Sequence, residues 1–380
     1  LSDAPLLMLD ACAAPGGKST AALDALPEGS MLVANEFDFR RASILAENIQ
    51  KWGCPAVAVS RGDTARFRRL PELFDIVAAD VPCSGEGMMR KDAQACAQWS
   101  ERLVDECAAR QWEIVENLWE ALAPGGFFIY STCTFNTREN ERIADRMTAD
   151  LGAEPVAVLL PEDNGIVVDD KGRMRFLPTR LRGEGLFMAI LRKPGGWTPT
   201  LIRHAASSPR REKKKCRNRG SVAELQPGAR PSSKGSDFAT LCSSWLRGDF
   251  GFTLRGEALY ARPVAFSQIH DLLDRHLDLL LPGLEVAALK GRTAVPSQPL
   301  ALTTALNTAE SPFPTAEVDL DLALSYLRRE SLPGFPDSPR GPLLLTFRPQ
   351  GLAAPLPLGF ANNLGSRANN LYPTPWRILH

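Results

Sequence analysis

A chain of 380 residues is more than twice the ~150 residues of an ordinary domain, so at least two cores are expected. Hydrophobic residues make up 44% and charged residues 23%, which excludes wholesale disorder and a collagen-like fibre. Lys plus Arg and Asp plus Glu are 44 each, so net charge steers the chain toward no partner and only a local excess can do so.

From Leu6 to Leu191 short apolar runs alternate with longer periodic stretches, the βαβ rhythm of a mostly parallel sheet covered on both faces. Strands are predicted at Leu6 to Leu9, Met31 to Ala34, Val57 to Ser60, Ile76 to Ala79, Phe127 to Tyr130 and Leu186 to Leu191. The clearest helix is predicted from Glu101 to Leu122, with Leu103, Cys107, Ile114, Leu118 and Leu122 on one face, stopped by Pro124-Gly125-Gly126. Residues 1–198 therefore read as one α/β domain. No uninterrupted apolar run approaches the ~20 residues that span a bilayer, and residues 1–5 lack the basic start of a signal peptide; a cytoplasmic protein with no membrane partner is expected.

Residues 203–220 then carry eight Lys or Arg against one acid, and polar residues continue to about Ser236. The stretch 199–236 reads as a basic linker, with contact to nucleic-acid phosphates as the sharper alternative. Beyond it the sequence predicts a helix ending near Trp245, strands at Phe252 to Leu254 and Ala258 to Tyr260, a Leu-rich helix from Ile269 to Leu281, and short strands such as Leu343 to Phe347. Two small lobes are expected, 237–285 and 286–380.

The chemistry gathers at strand ends. Asp10-Ala11-Cys12-Ala13-Ala14-Pro15-Gly16-Gly17-Lys18-Ser19 is a Gly-Gly turn from strand to helix, which lets backbone approach a ligand and offers free N–H groups to an anionic one. It is neither a Gly-x-Gly-x-x-Gly nor a Walker loop. Glu36 follows the second strand, where an acid can accept from both hydroxyls of a ribose; Asp63 follows the third and Asp80 the fourth. Any one could be a cap or turn residue, whereas three in series beside the Gly-Gly loop favour a nucleoside cofactor site.

The 8 cysteines, at 12, 54, 83, 96, 107, 133, 216 and 242, are too sparse for a disulfide scaffold and contain no Cys-x-x-Cys pair, so a reducing compartment and no metal are expected. The 4 histidines all lie beyond residue 203, which leaves no Ser-His-Asp chemistry for the first half. Cys12, Cys54, Cys96, Cys107 and Cys242 read as small core hydrophobes. Cys83, in Asp80-Val81-Pro82-Cys83-Ser84-Gly85-Glu86-Gly87, and Cys133, in Ser131-Thr132-Cys133-Thr134, instead sit in polar loops at the cofactor edge. Two thiols facing one pocket point to covalent catalysis through a thiolate.

These four motifs, with Ala34-Asn35-Glu36 among them, resemble in order and spacing the RNA cytosine-C5 methyltransferases, which use S-adenosylmethionine. The ending, Pro357-Leu358-Gly359-Phe360 through Gly365-Ser366-Arg367-Ala368-Asn369-Asn370-Leu371-Tyr372-Pro373, is similar to the RNA-binding C-terminal region of the bacterial small-subunit rRNA members. The resemblance implies a Rossmann-like class I methyltransferase domain followed by smaller α+β, PUA-like RNA-binding lobes. It places Cys12, Ala13, Ala14, Pro15, Gly16, Gly17 and Lys18 at the methionine end of the cofactor, Glu36 on the ribose, Asp63 on the adenine, and Asp80 beside the methyl group and the target base. It makes Cys133 the nucleophile toward carbon 6 of cytosine and Cys83 the thiol that serves product release.

A target base must be unstacked to enter such a pocket. Arg90, Lys91 and the basic run 210–219 are candidates to hold phosphates, and Arg367, Asn369, Asn370 and Tyr372 to contact RNA. The expected partner is small-subunit rRNA and the expected state a monomer. The alternatives are a tRNA substrate or a non-catalytic RNA-binding assembly factor. Family members normally carry an N-terminal RNA-binding segment, so a chain starting at Leu1 is expected to be a truncated one.

Overall fold

The computed structural model describes residues 3–161, 164–207, 233–291, 293–308 and 312–379. It divides into two compact units, Leu1–Ala46 with Ala58–Arg210 and Gln268–Leu280, and Glu47–Val57 with Arg211–Ser267 and Leu281–His380.

The first unit is built on β1 (Leu7–Asp10), α1 (Gly17–Ala25), β2 (Met31–Glu36), α2 (Phe39–Trp52, which runs on past this unit), β3 (Val57–Arg61), β4 (Phe74–Asp80), α3 (Ala93–Gln98), α4 (Glu101–Ala121), β5 (Leu122–Thr132) and α5 (Glu141–Leu151). There follow β6 (Glu154–Pro155), β7 (Val167–Val168), β8 (Met174–Phe176), β9 (Leu186–Arg192) and α6 (Thr200–Ser207). The central order is β3-β2-β1-β4-β5-β9, with β1 parallel to β2 and β4, β4 parallel to β5, and β9 antiparallel to β5. β1 and β2 are buried at every position, which is why their sequences read as continuous apolar runs rather than as alternation. The registers Asp10↔Ala34, Asp10↔Ala78 and Asp80↔Ser131 bring the carboxyl ends of β1, β2, β4 and β5 to one rim. This is a Rossmann-like α/β sheet, and its crossovers leave the ligand edge where open parallel sheets hold ligands.

Ser100 caps α4 by accepting from the Leu103 N–H. The helix turns a broader face inward than expected: Val104, Gln111, Trp112, Ile114, Val115, Leu118 and Trp119 are buried, while Leu103 and Cys107 are only half-buried at its margin. Trp112 and Trp119, seven residues apart, lie on the buried stripe, and Leu103 falls at its margin. The stretch expected as linker from 199 opens instead with α6: the buried Thr200 donates its N–H and its hydroxyl to Asp75 Oδ1, at 2.9 and 3.0 Å, which fixes the start of the helix to β4. The basic run 210–219 lies outside the described residues.

The second unit holds α7 (Ser233–Ser243), β10 (Phe250–Arg255) and β11 (Ala258–Pro263). The chain then passes through α8 (Ser267–His276) and β12 (Asp278–Leu281) before returning in β13 (Leu284–Lys290), β14 (Thr293–Pro296), α9 (Gln298–Leu302), β15 (Thr315–Val318) and α10 (Leu320–Leu327). β16 (Leu332–Pro333), β17 (Gly341–Phe347), β18 (Leu356–Asn363) and β19 (Arg367–Asn370) complete it. The Leu-rich segment expected as one helix to Leu281 breaks after His276. β12 buries Leu279 and Leu281 on one face and joins the first unit's sheet beside β3, so period-two burial overrides the helical pattern of its leucines.

β10-β11-β13-β14 form an antiparallel sheet and β15-β17-β18-β19-β16 a mixed one. The lobes expected at 237–285 and 286–380 share a single core: Leu259 and Val286 of the first sheet pack in one cluster with Leu344 and Phe360 of the second. Phe313 is the joint, edge-on to Trp245 at 4.9 Å and to Phe360 at 4.8 Å between ring centroids. A second core, around Tyr326, Leu343, Leu345 and Ala361, lies on the other face of the mixed sheet.

Candidate active site

The rim begins at Asp10, buried at the end of β1, whose Oδ2 accepts from the Ser19 hydroxyl at 2.6 Å and so anchors α1. Burial raises Asp10 to about 6, offset in part by that hydrogen bond. Between them the chain passes the cis Ala14–Pro15 bond and Gly16, whose φ of 114° only glycine holds without strain. A Cβ on Gly17 would meet no atom within 4 Å, so the turn is open on that side. Burial, with Asp10 next in effect, pushes the Cys12 thiol far above its ordinary range, which makes it a neutral wall of the turn rather than a nucleophile.

Asn35 knits three loops together. Its amide donates to the carbonyls of Ala11 and Gly62, each at 3.1 Å, and its Oδ1 accepts from Ser60 at 2.8 Å. Glu36 beside it is buried; Oε1 accepts from the Asp38 N–H, while Oε2 has no hydrogen-bond partner and lies 3.4 Å from Arg41 Nη2. The Gly62 N–H donates to Glu36 O, which brings the loop after β3 to the same edge. Asp63 is exposed and caps the short 3-10 helix Thr64–Arg69 through the Ala65 N–H. Phe37, 70% exposed, adds an uncovered aromatic next to Glu36.

Asp80 ends β4 with both carboxylate oxygens engaged. Oδ2 pairs with Lys18 at 2.7 Å and Oδ1 accepts from the Ser131 hydroxyl at 2.8 Å, so one acid ties the Gly-Gly loop to the strand that leads into Cys133. The sulfurs of Cys83 and Cys133, fifty residues apart in sequence, lie 3.2 Å from one another. Their contact divides the pair: with Cys83 holding the shared proton toward it, Cys133 is lowered from the ordinary thiol range, while Cys83, deeper in the protein, is raised. Cys133 is thus the sulfur poised to ionise.

What holds the two loops in register is Glu139, fully buried at the foot of α5. It accepts from the Ser84 N–H at 3.0 Å, the Gln111 amide at 2.7 Å, the Asn136 amide at 2.7 Å and the Ser84 hydroxyl. Three of those four donors belong to the Cys83 and Cys133 loops and the fourth to α4. Sequence reading missed Glu139 and gave Asn35 no role of its own, because nothing in a local pattern separates a buried anchoring polar residue from a helix-start acid or a strand-end amide. Glu86 adds a second tie, accepting from the Phe135 N–H at 2.8 Å.

Of the remaining expected residues, Cys96 is exposed rather than core, because none of the residues of the short α3 is buried. Lys91 is paired to Glu184, and Arg90 donates to Gly183 O at 2.8 Å. In the second unit Asn370 is structural: its amide donates to Tyr326 O and Glu330 O, and its Oδ1 accepts from the Tyr372 N–H. The Tyr372 ring packs edge-on between Tyr326 and Trp376, whereas Arg367 and Asn369 are exposed. Among the described residues no cluster of three His, Cys, Asp or Glu could hold a metal, and no helix is long and apolar enough to cross a membrane.

Residues 3–192 match the family model described as 16S rRNA methyltransferase RsmB/F. Ribosomal RNA small subunit methyltransferase F of Serratia proteamaculans is 38% identical over 197 residues, 50% of this chain and 41% of that protein. The protein of the same name from Aeromonas hydrophila is 38% identical over 192 residues, 49% of this chain and 40% of that one. The chain thus spans about two fifths of the length of the curated relatives it matches. The crystal structure of NSun6 from Pyrococcus horikoshii with SFG is 24% identical, with a TM-score of 0.45 over 50% of this chain and 48% of that one. With its Gly-Gly loop, strand-end acids and paired cysteine loops all inside the matched half, the chain belongs to the 16S rRNA methyltransferase RsmB/F family.

Proposed function

We propose that this protein methylates carbon 5 of a cytosine in small-subunit rRNA, with S-adenosylmethionine as donor and Cys133 as covalent nucleophile. The observation that carries the reading is the 3.2 Å approach of Cys83 to Cys133 on the rim where Lys18 and Asp80 pair.

The residues present fit the cofactor. Glu36 offers a buried carboxylate oxygen without a hydrogen-bond partner at the end of β2, which suits a ribose hydroxyl, and Phe37 offers a free ring face beside it. The open Gly16-Gly17 turn and Lys18 suit the carboxylate of the methionine end, and Asp63 is exposed for the adenine edge. S-adenosylmethionine, when bound, supplies an electrophilic methyl group.

Carbon 5 of cytosine is a weak nucleophile. The Cys133 thiolate forms a bond to carbon 6, which breaks the 5,6 double bond and places the electron pair on carbon 5 for capture of the methyl. Asp80 faces the amino and ring-nitrogen edge of the base, exchanging its contact with Lys18 for the exocyclic amine and favouring cytosine over uracil. Release is an elimination: Cys83 or a water accepts the carbon 5 proton, the electron pair of that C–H bond re-forms the 5,6 double bond, and the Cys133 sulfur departs from carbon 6 with its electron pair. The proton taken from carbon 5 is then shared between Cys83 and the freed Cys133 sulfur 3.2 Å away, which restores the starting pair.

Labelled S-adenosylmethionine and small-subunit RNA, incubated with the protein, test the reading. Wild type transfers label to cytosine, Cys133→Ala transfers none, and Cys83→Ala accumulates a protein–RNA adduct that survives denaturation. An adduct that accumulates with Cys133→Ala instead exchanges the two roles, and RNA binding without transfer by wild type favours the assembly-factor alternative.

A further inference from the structure

We propose that Arg90, Arg180 and Arg182 form a phosphate pocket that grips the backbone of a single-stranded RNA beside the base in the thiol site. This rests on the RNA substrate of the reading above and adds where the chain is held.

The pocket is a cavity of about 450 Å³, open to solvent and lined by Arg90, Thr179, Arg180, Arg182 and Gly183 among others, with no carboxylate in its wall. Three guanidiniums and a hydroxyl converging without an acid constitute an unbalanced positive site. Other arginines of the same unit sit beside acids. Arg138 is paired with Glu101 and Asp105, Arg146 with Asp150, Arg173 with Asp145 and Asp169, and Arg175 with Glu141. Among the described residues the exposed guanidiniums of Arg180 and Arg182 have no ion-pair or hydrogen-bond partner. Glu184, which follows the loop, is paired with Lys91 and is held low by Lys91 first and by Arg90 to a lesser degree. Arg90 is held in place by one donated bond, from Nη2 to Gly183 O, which leaves its other N–H groups for a ligand. Planar forks of this kind match phosphate oxygens.

Position ties the pocket to the chemistry. Arg90 ends the 3-10 helix Glu86–Arg90, and in the same helix the Gly87 N–H donates to Cys133 O at 2.9 Å. The loop carrying Arg180 and Arg182 packs on that turn so closely that a Cβ on Gly87 would lie 2.5 Å from Glu184 O and 2.6 Å from Cys133 O. The arginine loop and the nucleophile's loop both abut the Gly87 turn, which puts a phosphate in the pocket on the strand whose base reaches the sulfurs. Base recognition then falls to Asp80 and strand recognition to the arginines, which read phosphate without sequence.

The experiment measures binding of a fluorescent single-stranded, cytosine-containing oligoribonucleotide to the full chain across a salt series, without methyl transfer. The double variant Arg180→Ala/Arg182→Ala should weaken binding at least roughly tenfold at low salt and reduce the log–log salt slope by about 0.7, the share of the one phosphate that is no longer neutralised. Thermal melting and the rate of Cys133 alkylation should not change, and Arg180→Lys/Arg182→Lys should restore most of the slope. An unchanged slope in a variant that melts like wild type overturns the proposal, and so does competition by poly-glutamate as strong as that by RNA of equal charge. A slope that depends on these arginines in a protein transferring no methyl group would sink the chemical reading and leave the pocket standing. Normal methylation with an arginine-independent slope does the reverse.

Discussion

Replacing Glu139 tests whether one buried carboxylate holds the catalytic loops in register. The side chain is fully buried and accepts from the Ser84 N–H, the Ser84 hydroxyl and the Gln111 and Asn136 amides, so alanine leaves four donors facing a dry cavity. Each orphaned buried donor costs about 1–3 kcal/mol, and the Ser84 hydroxyl and Asn136 can recover part of this by bonding to Thr134. A net loss of about 3–5 kcal/mol follows, a large share of the ~5–15 kcal/mol that holds a typical domain. Glutamine keeps the shape and presents one N–H₂ where a carboxylate oxygen stood; the rotatable Ser84 hydroxyl can turn to accept from it, and the expected cost falls to about 1–3 kcal/mol. Urea titration gives the stability. The alkylation rate of Cys133 against pH gives the register, because separated sulfurs return Cys133 toward an ordinary thiol. Should Glu139→Ala unfold at the wild-type urea midpoint and alkylate with the wild-type pH profile, the carboxylate is not what joins the loops.

Four further outcomes are expected. Asp10 is raised in the folded state to about 6 from 3.8, so the fold binds its proton more tightly than the unfolded chain and this group's contribution is most favourable below pH 4. That contribution is lost as pH climbs through 6, to a cost on the order of 3 kcal/mol; Asp10→Asn should gain on wild type in melting temperature between pH 4 and 7, and a constant difference refutes this. Gly87→Ala drives a Cβ into two backbone oxygens and should cost about 1–3 kcal/mol with loss of activity, read by melting and methyl transfer. Asn35→Ala leaves the Ala11 and Gly62 carbonyls and the Ser60 hydroxyl short of a partner and should cost about 2–4 kcal/mol, read by urea titration, with weaker S-adenosylmethionine binding by calorimetry. Cys83→Ala removes the proton donor to Cys133 and should move its alkylation profile to higher pH; a shift to lower pH reverses the direction assigned to the pair.

The parts of the site that recur with the strands were legible before the fold. Glu36 and Asp80 stand at strand ends because a doubly wound sheet presents its carboxyl edge there, and a period-two or buried apolar run marks each edge in advance. Cys83 and Cys133 were separable from the other cysteines by their polar loops. Glu139, Asn35 and Gln111 were not separable, because each acts through at least one partner 24 to 55 residues away and carries no periodic signature. The leucines of 277–281 misled for a related reason: an apolar run beside a helix looks helical until the edge of β3 is present to pair with it. Asn370 and Tyr372 are candidates for RNA contact through the resemblance, and the fold also uses them within the second unit, through the Asn370 hydrogen bonds and the edge-on Tyr372 ring.

Two sulfur atoms at 3.2 Å confer a rule on the pocket as a whole. They compete for a single hydrogen, and a second ionisation would set like charges in contact with little water between them. At neutral pH the couple therefore carries one negative charge at most, so the sulfur that is armed disarms its neighbour. Attack and protonation become alternating states of one two-atom device: a reagent that caps Cys133 silences the whole cycle, whereas one that caps Cys83 leaves attack and stalls release.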